Sequence, residues 1–190
     1  NMTTNKKHSP KGIEEADNDE LENDFVLVTL HRSENVDDLD ILRQVLMALS
    51  DSNLKYIFPM HPHTLKRIQQ YGLIKQIGES IKIIPPLGYL DFLNLLIKCK
   101  FAITDSGGVQ EEITSPLINK RALVLRDCTE RPESVNSGHS VLCKIEHKAI
   151  LDQLKIFEAH FSNKKISDRS PYGEGDSAKK IAEVLEKKYC

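Results

Sequence analysis

An α/β fold, a Rossmann-like doubly wound parallel sheet, is what this sequence predicts. It rests on three observations: six short apolar runs, helical apolar spacing in most of the segments between them, and an unusual polar loop after most of the runs. The length of 190 residues, 39% of them hydrophobic, suffices for one cored domain without disulfides or a structural metal.

Residues 1–24 are almost wholly polar, with Ile13 and Leu21 isolated among Lys, Glu, Asp and Asn. Such a stretch buries too little apolar surface to fold alone, and a disordered tail or linker is expected there. From Phe25 the pattern changes. Strands are expected at 25–30, 56–58, 81–84, 101–104, 122–125 and 141–143, each an apolar run too short for a helix. After the first strand, Leu39, Leu42, Val45, Leu46 and Leu49 fall at helical spacing. Leu65 with Ile68, and Leu90 with Leu93, Leu96 and Ile97, mark the next two crossover helices. A short helix is expected from Glu111 to near Pro116. A longer one is expected over 148–161, with Ile150, Leu154 and Phe161 inward. The turn-rich Ser170-Pro171-Tyr172-Gly173-Glu174-Gly175 then closes a domain running from 25 to 175, and 176–190 holds a last helix over 177–187.

Charge and cysteine usage narrow the partners. The formal net charge is −2 and lysines are interspersed with glutamates, so no basic stripe exists to neutralise a nucleic-acid backbone. Cys99, Cys128, Cys143 and Cys190 lie far apart with no C-x-x-C pair and no apolar leader before them. Neither zinc nor a secreted disulfide framework is indicated, and a reducing cytoplasm is the expectation. The most apolar stretch, 92–103, is broken by Lys98 and Lys100 and falls short of the roughly 20 residues a membrane span needs.

In an open parallel sheet, ligands bind beyond the carboxyl ends of the strands. The five loops expected there carry His31-Arg32-Ser33-Glu34-Asn35, His61-Pro62-His63, Pro85-Pro86-Leu87-Gly88, Asp105-Ser106-Gly107-Gly108 and Arg126-Asp127-Cys128-Thr129-Glu130-Arg131. In the fourth, a strand turns through two glycines into a helix. Backbone N–H groups there, with the helix dipole and the Ser106 hydroxyl, suit a phosphate; the plainer reading is a tight turn at Gly107 and Gly108. Glu112, one helical turn after Gly108, is within reach of the ribose of a nucleotide whose phosphate sits on the glycines, or is an exposed helix glutamate. Arg131, just before the helix-opening Pro132, offers a planar fork to a diphosphate, or pairs with Glu130 or Asp127. His31 is either a donor to phosphate or sugar, or a capping or solvent-exposed loop histidine. Phe92, with Tyr89 beside Gly88, either borders a planar base or joins the helix core. His61 and His63 lack a third ligand, so neither a metal nor another cofactor is expected. These residues point to a nucleotide or other phosphate ligand and do not name it.

Taken in order, His31-Arg32-x-Glu34-Asn35, the run from Pro86 to Phe92, the run from Thr104 to Glu112 and the run from Leu125 to Glu133 resemble UDP-N-acetylglucosamine 2-epimerases, and 170–175 resembles their closing motif. The resemblance runs from about residue 25 to the end. It implies one half of a glycosyltransferase-B-like two-domain fold, the UDP-binding half, with a missing N-terminal domain as partner and a homodimer as the complete enzyme. By resemblance, Ser106, Gly107 and Gly108 hold the diphosphate, Glu112 the ribose hydroxyls and Arg131 the phosphate side of the cleft. His31 is the catalytic residue near diphosphate and sugar, and Phe92 borders the uracil. The implied reaction removes the C2 proton as UDP leaves, then returns both with C2 inverted. The general acid and base of the family belong to the absent half, so inactivity of this chain alone is expected. Hydrolysing epimerases, epimerases of modified UDP-sugars and a non-catalytic UDP-sugar module remain alternatives. The chain departs from the family pattern at 114–121, about two residues longer than usual, at Cys128 where threonine is common, and at His63 where arginine is common.

Overall fold

The computed structural model describes residues 24–160, 166 and 169–189. The tail expected at 1–24, apart from Asp24, and the inward Phe161 lie outside the described residues.

All six expected strands form: β1 (Val26–Thr29), β2 (Tyr56–Pro59), β3 (Ile81–Ile84), β4 (Ala102–Thr104), β5 (Ala122–Leu125) and β6 (Ser140–Cys143). They make one parallel sheet in the order β3-β2-β1-β4-β5-β6. The apolar runs do not alternate with polar residues because both faces of the central strands are covered; every residue of β4 and β5 is buried. Successive side chains instead feed two cores. Val26 and Val28 join one with Leu46, Phe58, Ile103 and Leu123, while Leu27 joins the other with Ile57, Ala102, Ala122 and Val124.

The helices that cover these faces are α1 (Ser33–Val36), α2 (Leu39–Ser50), α3 (Pro62–Gln70), α4 (Tyr89–Lys98), α5 (Gly107–Glu112), α6 (Pro132–Asn136), α7 (His147–His160) and α8 (Ser177–Tyr189). Helix α2 starts at Asp38, whose carboxylate accepts from the amides of Asp40 and Ile41. It buries Leu42, Val45, Leu46 and Leu49 on the first core, beside Ile150, Leu154 and Phe157 of α7. The Phe157 ring lies 4.9 Å from that of Phe101.

Two helices differ from expectation. In α4 the core line is Phe92, Leu95, Leu96 and Cys99, whereas Leu90 and Ile97 are 72% and 44% exposed. The line Phe92–Leu95–Leu96–Cys99 follows the i, i+3, i+4, i+7 pattern, and Leu90 and Ile97 fall off that stripe. Helix α5 begins at Gly107, four residues before the expected start, because Ser106 already caps it: the Ser106 Oγ accepts from the Val109 amide at 3.5 Å. Helix α8 forms as expected with no residue buried, and Ile181, Val184 and Leu185 stay more than half exposed. Among the described residues no helix is long and apolar enough to cross a membrane.

After β3 at one edge, the chain returns to place β4 beside β1. This reversal makes β1 and β4 the switch point, where the loops leaving the two strands diverge and open a crevice.

Candidate functional site

The crevice is built around Asp105, which directly follows β4 and is fully buried. Its carboxylate accepts from the His31 amide at 3.1 Å, the Arg32 amide at 3.0 Å and the Asn35 side-chain amide at 3.1 Å. The His31 Nδ1 lies 3.3 Å from the same group. The Arg32 Nε donates to the Asp105 carbonyl at 3.0 Å, and the Asn35 amide also donates to the Leu125 carbonyl at 3.3 Å. Three strand ends, β1, β4 and β5, are thus stitched together by the first loop. Burying a carboxylate is costly unless donors of this kind satisfy its oxygens.

Directly after Asp105, α5 presents its unpaired first-turn amides at the carboxyl edge of the sheet, where an anion is favoured. Ser106 serves the helix as an acceptor, so its hydroxyl hydrogen is what remains for a ligand. Gly107 leaves room that a side chain would fill: a Cβ there would stand 2.9 Å from Glu130 Oε1 and 3.8 Å from Arg131 Cζ. That space is taken by the Glu130 carboxylate. Glu130 is held by Arg32 at 2.5 Å and by Arg126. Its own backbone N–H, with Arg126 and Arg32 outweighing the penalty of burial, pushes its carboxyl down to about 2.

The loop carrying Arg131 is fixed against α5 by side chains that sequence reasoning did not single out. The Thr129 hydroxyl donates to the buried Gln110 at 2.7 Å and receives the Arg131 amide at 3.0 Å. Pro132 opens α6 as expected. The Arg131 guanidinium pairs with Glu111 rather than with the side chains of Glu130 or Asp127, and donates to the Glu130 carbonyl at 3.1 Å. It therefore sits at the rim of the glycine turn.

Glu112 faces the other end of α5. Its Oε1 accepts from the Tyr89 hydroxyl at 2.6 Å, a bond that raises the Tyr89 phenol. Together with Glu111, Ser115, Arg169 and the 173–175 turn, Glu112 lines a cavity of about 670 Å³. Thr114 and Ser170 tie that turn to the end of α5 through a 2.8 Å bond. Phe92, half-buried, packs on the second core, while Tyr89 beside it is 61% exposed. The structure thus brings His31, Ser106, Gly107, Gly108 and Arg131 to the β1–β4–β5 ends, and places Glu112 one helical turn away. His61 caps α3, receiving the His63 amide at 3.2 Å, and His63 contacts Asp37 at 2.8 Å.

Asp105, Arg32, Asn35, Gln110 and Glu130 were not singled out from sequence as site residues. The available signal was weak: Asp105 is a carboxylate directly following a short, mostly apolar strand, a position that requires nearby donors if the group is buried.

Comparison with known proteins follows the same residues. The family model described as UDP-N-acetylglucosamine 2-epimerase matches residues 1–186. A UDP-N-acetylglucosamine 2-epimerase from Methanococcus maripaludis is 37% identical over 170 residues, covering 85% of this chain and 44% of the relative. The UDP-GlcNAc 2-epimerase of Methanocaldococcus jannaschii, solved in complex with UDP-GlcNAc and UDP, superposes with a TM-score of 0.75 at 34% identity, over 88% of this chain and 46% of that one. The Neisseria meningitidis UDP-GlcNAc 2-epimerase bound to UDP-GlcNAc gives a TM-score of 0.72 at 32% identity, over 87% and 45%. The chain spans less than half the length of these relatives. Its sheet order, its loop chemistry and these likenesses agree that the chain belongs to the UDP-N-acetylglucosamine 2-epimerase family.

Proposed function

We propose that this chain is the UDP-binding part of an enzyme that epimerises UDP-N-acetylglucosamine at C2, giving UDP-N-acetylmannosamine. The observation that carries the reading is the Gly107 turn at the switch point, without a side chain of its own, with Ser106, Arg131 and His31 gathered around it. In this reading the diphosphate lies on Ser106, Gly107 and Gly108 with Arg131 alongside. Glu112 receives the ribose hydroxyls, and Phe92 borders the uracil.

The chemistry follows from where charge develops. As the C2 proton is removed and the C1–O bond to UDP breaks, negative charge builds on the departing diphosphate. Donors held in place by packing stabilise that charge without reorganising. His31 and Arg131 supply N–H donors, and α5 supplies backbone amides. UDP then re-adds at C1 while a proton is delivered to C2 from the opposite face. The proton-transfer groups lie outside this chain, so the 190 residues alone do not turn over. The complete enzyme is read as a cytoplasmic homodimer.

Calorimetry with UDP tests the reading, with ADP as the control nucleotide. Selective UDP binding that is weakened in Glu112→Ala and Arg131→Ala supports it; a folded chain without UDP affinity overturns it. Turnover that appears only when a separately expressed N-terminal half is added supports assignment of proton transfer to that half. Turnover by the chain alone refutes it.

A further inference from the structure

Asp105 makes contacts that a strand end does not require. Three neutral donors, the amides of His31 and Arg32 and the Asn35 side chain, converge on its buried carboxylate at 3.0 to 3.1 Å, and a ring nitrogen lies close by. That nitrogen is His31 Nδ1, 3.3 Å from Asp105 Oδ1. An ionised carboxylate only accepts hydrogen bonds. At that distance an Nδ1 lone pair is repelled by the negative oxygen whereas an N–H is attracted, so the hydrogen of the neutral ring belongs on Nδ1. The ring is then held by its inner nitrogen, and Nε2 is the nitrogen left for a ligand on a side chain 44% exposed.

Resting on the UDP-sugar reading above, we propose that Asp105 is a positioning residue: it fixes His31 as the Nδ1–H tautomer and presents Nε2 to the diphosphate and sugar of the bound nucleotide. The same carboxylate pins the 31–35 loop, so the distance from His31 to the α5 turn is set by a buried group just after β4 and not by the exposed loop itself. His31 meets its ligand with one defined atom. In the neutral ring this is an acceptor, suited to a sugar hydroxyl. In the protonated ring it is a donor, suited to the departing diphosphate, with the positive charge balanced by Asp105 from behind.

The test is nitrogen NMR of the histidine rings in the full 190-residue chain, followed upward in pH until the ring signals stop changing and report the neutral form. The His31 signals are assigned by their loss in His31→Gln. The expected spectrum shows a protonated Nδ1 and a bare Nε2, the reverse of the tautomer that predominates for free histidine in water. Added UDP is expected to move the Nε2 signal and leave Nδ1 in place. In Asp105→Asn, whose amide can donate toward Nδ1, the Nε2–H form is expected to replace the native tautomer. If that variant does not fold, the wild-type spectrum still decides. An Nε2–H tautomer in the wild-type chain overturns the proposal, as does UDP binding that leaves Nε2 unmoved. Absence of calorimetric heat with UDP overturns the nucleotide reading instead, and the two failures are distinguishable because the tautomer is read without ligand.

Discussion

Replacing Gly107 with alanine separates what the glycine does for the fold from what it does for a ligand. The added Cβ would lie 2.9 Å from Glu130 Oε1 and 3.8 Å from Arg131 Cζ. The first contact is too close, but the Glu130 carboxylate ends a flexible, partly exposed side chain and can swing away. Doing so loosens its pairs with Arg32 and Arg126, each worth no more than about 1 kcal/mol at such exposure. Against this, Gly→Ala in a helical conformation gains about 0.4–1 kcal/mol, mainly from the unfolded chain. The two effects nearly cancel, so the melting temperature is expected to shift by no more than about 4 °C. Binding has no such compensation. The methyl group occupies the space over the backbone amides, and losing one hydrogen bond to a charged phosphate costs about 1.5–3 kcal/mol. That corresponds to a UDP affinity about 10- to 100-fold weaker. Differential scanning fluorimetry and calorimetry on the same preparation measure both quantities. A folded Gly107→Ala chain that binds UDP as tightly as the wild type would refute the placement of the diphosphate on this turn.

Three further outcomes are expected. Glu112→Ala should narrow the preference for UDP over 2′-deoxy-UDP, by about tenfold if one charged hydrogen bond to the ribose is lost; equal discrimination in both proteins would remove Glu112 from the ribose. Asp38→Ala deletes the acceptor for the Asp40 and Ile41 amides and should cost about 1 kcal/mol in urea unfolding, with UDP binding untouched because α2 lies on the first core. His139 is buried, and its value is held below the ordinary 6.5 first by burial and then by nearby Arg121. As pH falls, the unfolded chain therefore takes up this proton before the folded one, so stability is whole above about pH 6.5 and declines below it. His139→Gln should flatten the stability profile between about pH 5 and 7, and an unchanged slope would show that His139 is not its source.

Much of the fold was legible because its signals are local. Each strand is a short apolar run that no helix could accommodate, and the absence of alternation in Val26–Thr29 and Ala122–Leu125 already implies coverage on both faces. The misread elements are those in which periodicity was ambiguous. Leu90 and Ile97 are apolar yet turned outward, because apolar character alone does not say which stripe of a helix meets the sheet. The start of α5 was placed late because glycine is a poor helix former in isolation, whereas here the Ser106 cap and the end of β4 hold both glycines in the first turn. Among site residues, Ser106, Gly107 and Gly108 were readable from their spacing, since a strand, a glycine pair and a helix in immediate succession leave amides exposed to an anion. Arg131 was readable as a rim residue, but its partner Glu111 was not, being 20 positions away.

By itself, then, the sequence determined the class of fold, the loops that carry chemistry and the family to which those loops belong, because turn residues, apolar runs and motif spacing are properties of neighbouring positions. Only the tertiary structure decided which strand ends meet. The order β3-β2-β1-β4-β5-β6 sets His31 beside Asp105, 74 positions later, and Arg32 beside Glu130, 98 positions later. Those pairings depend on a crossover that returns the chain to the centre of the sheet, and no local pattern encodes the distance between two side chains brought together in that way.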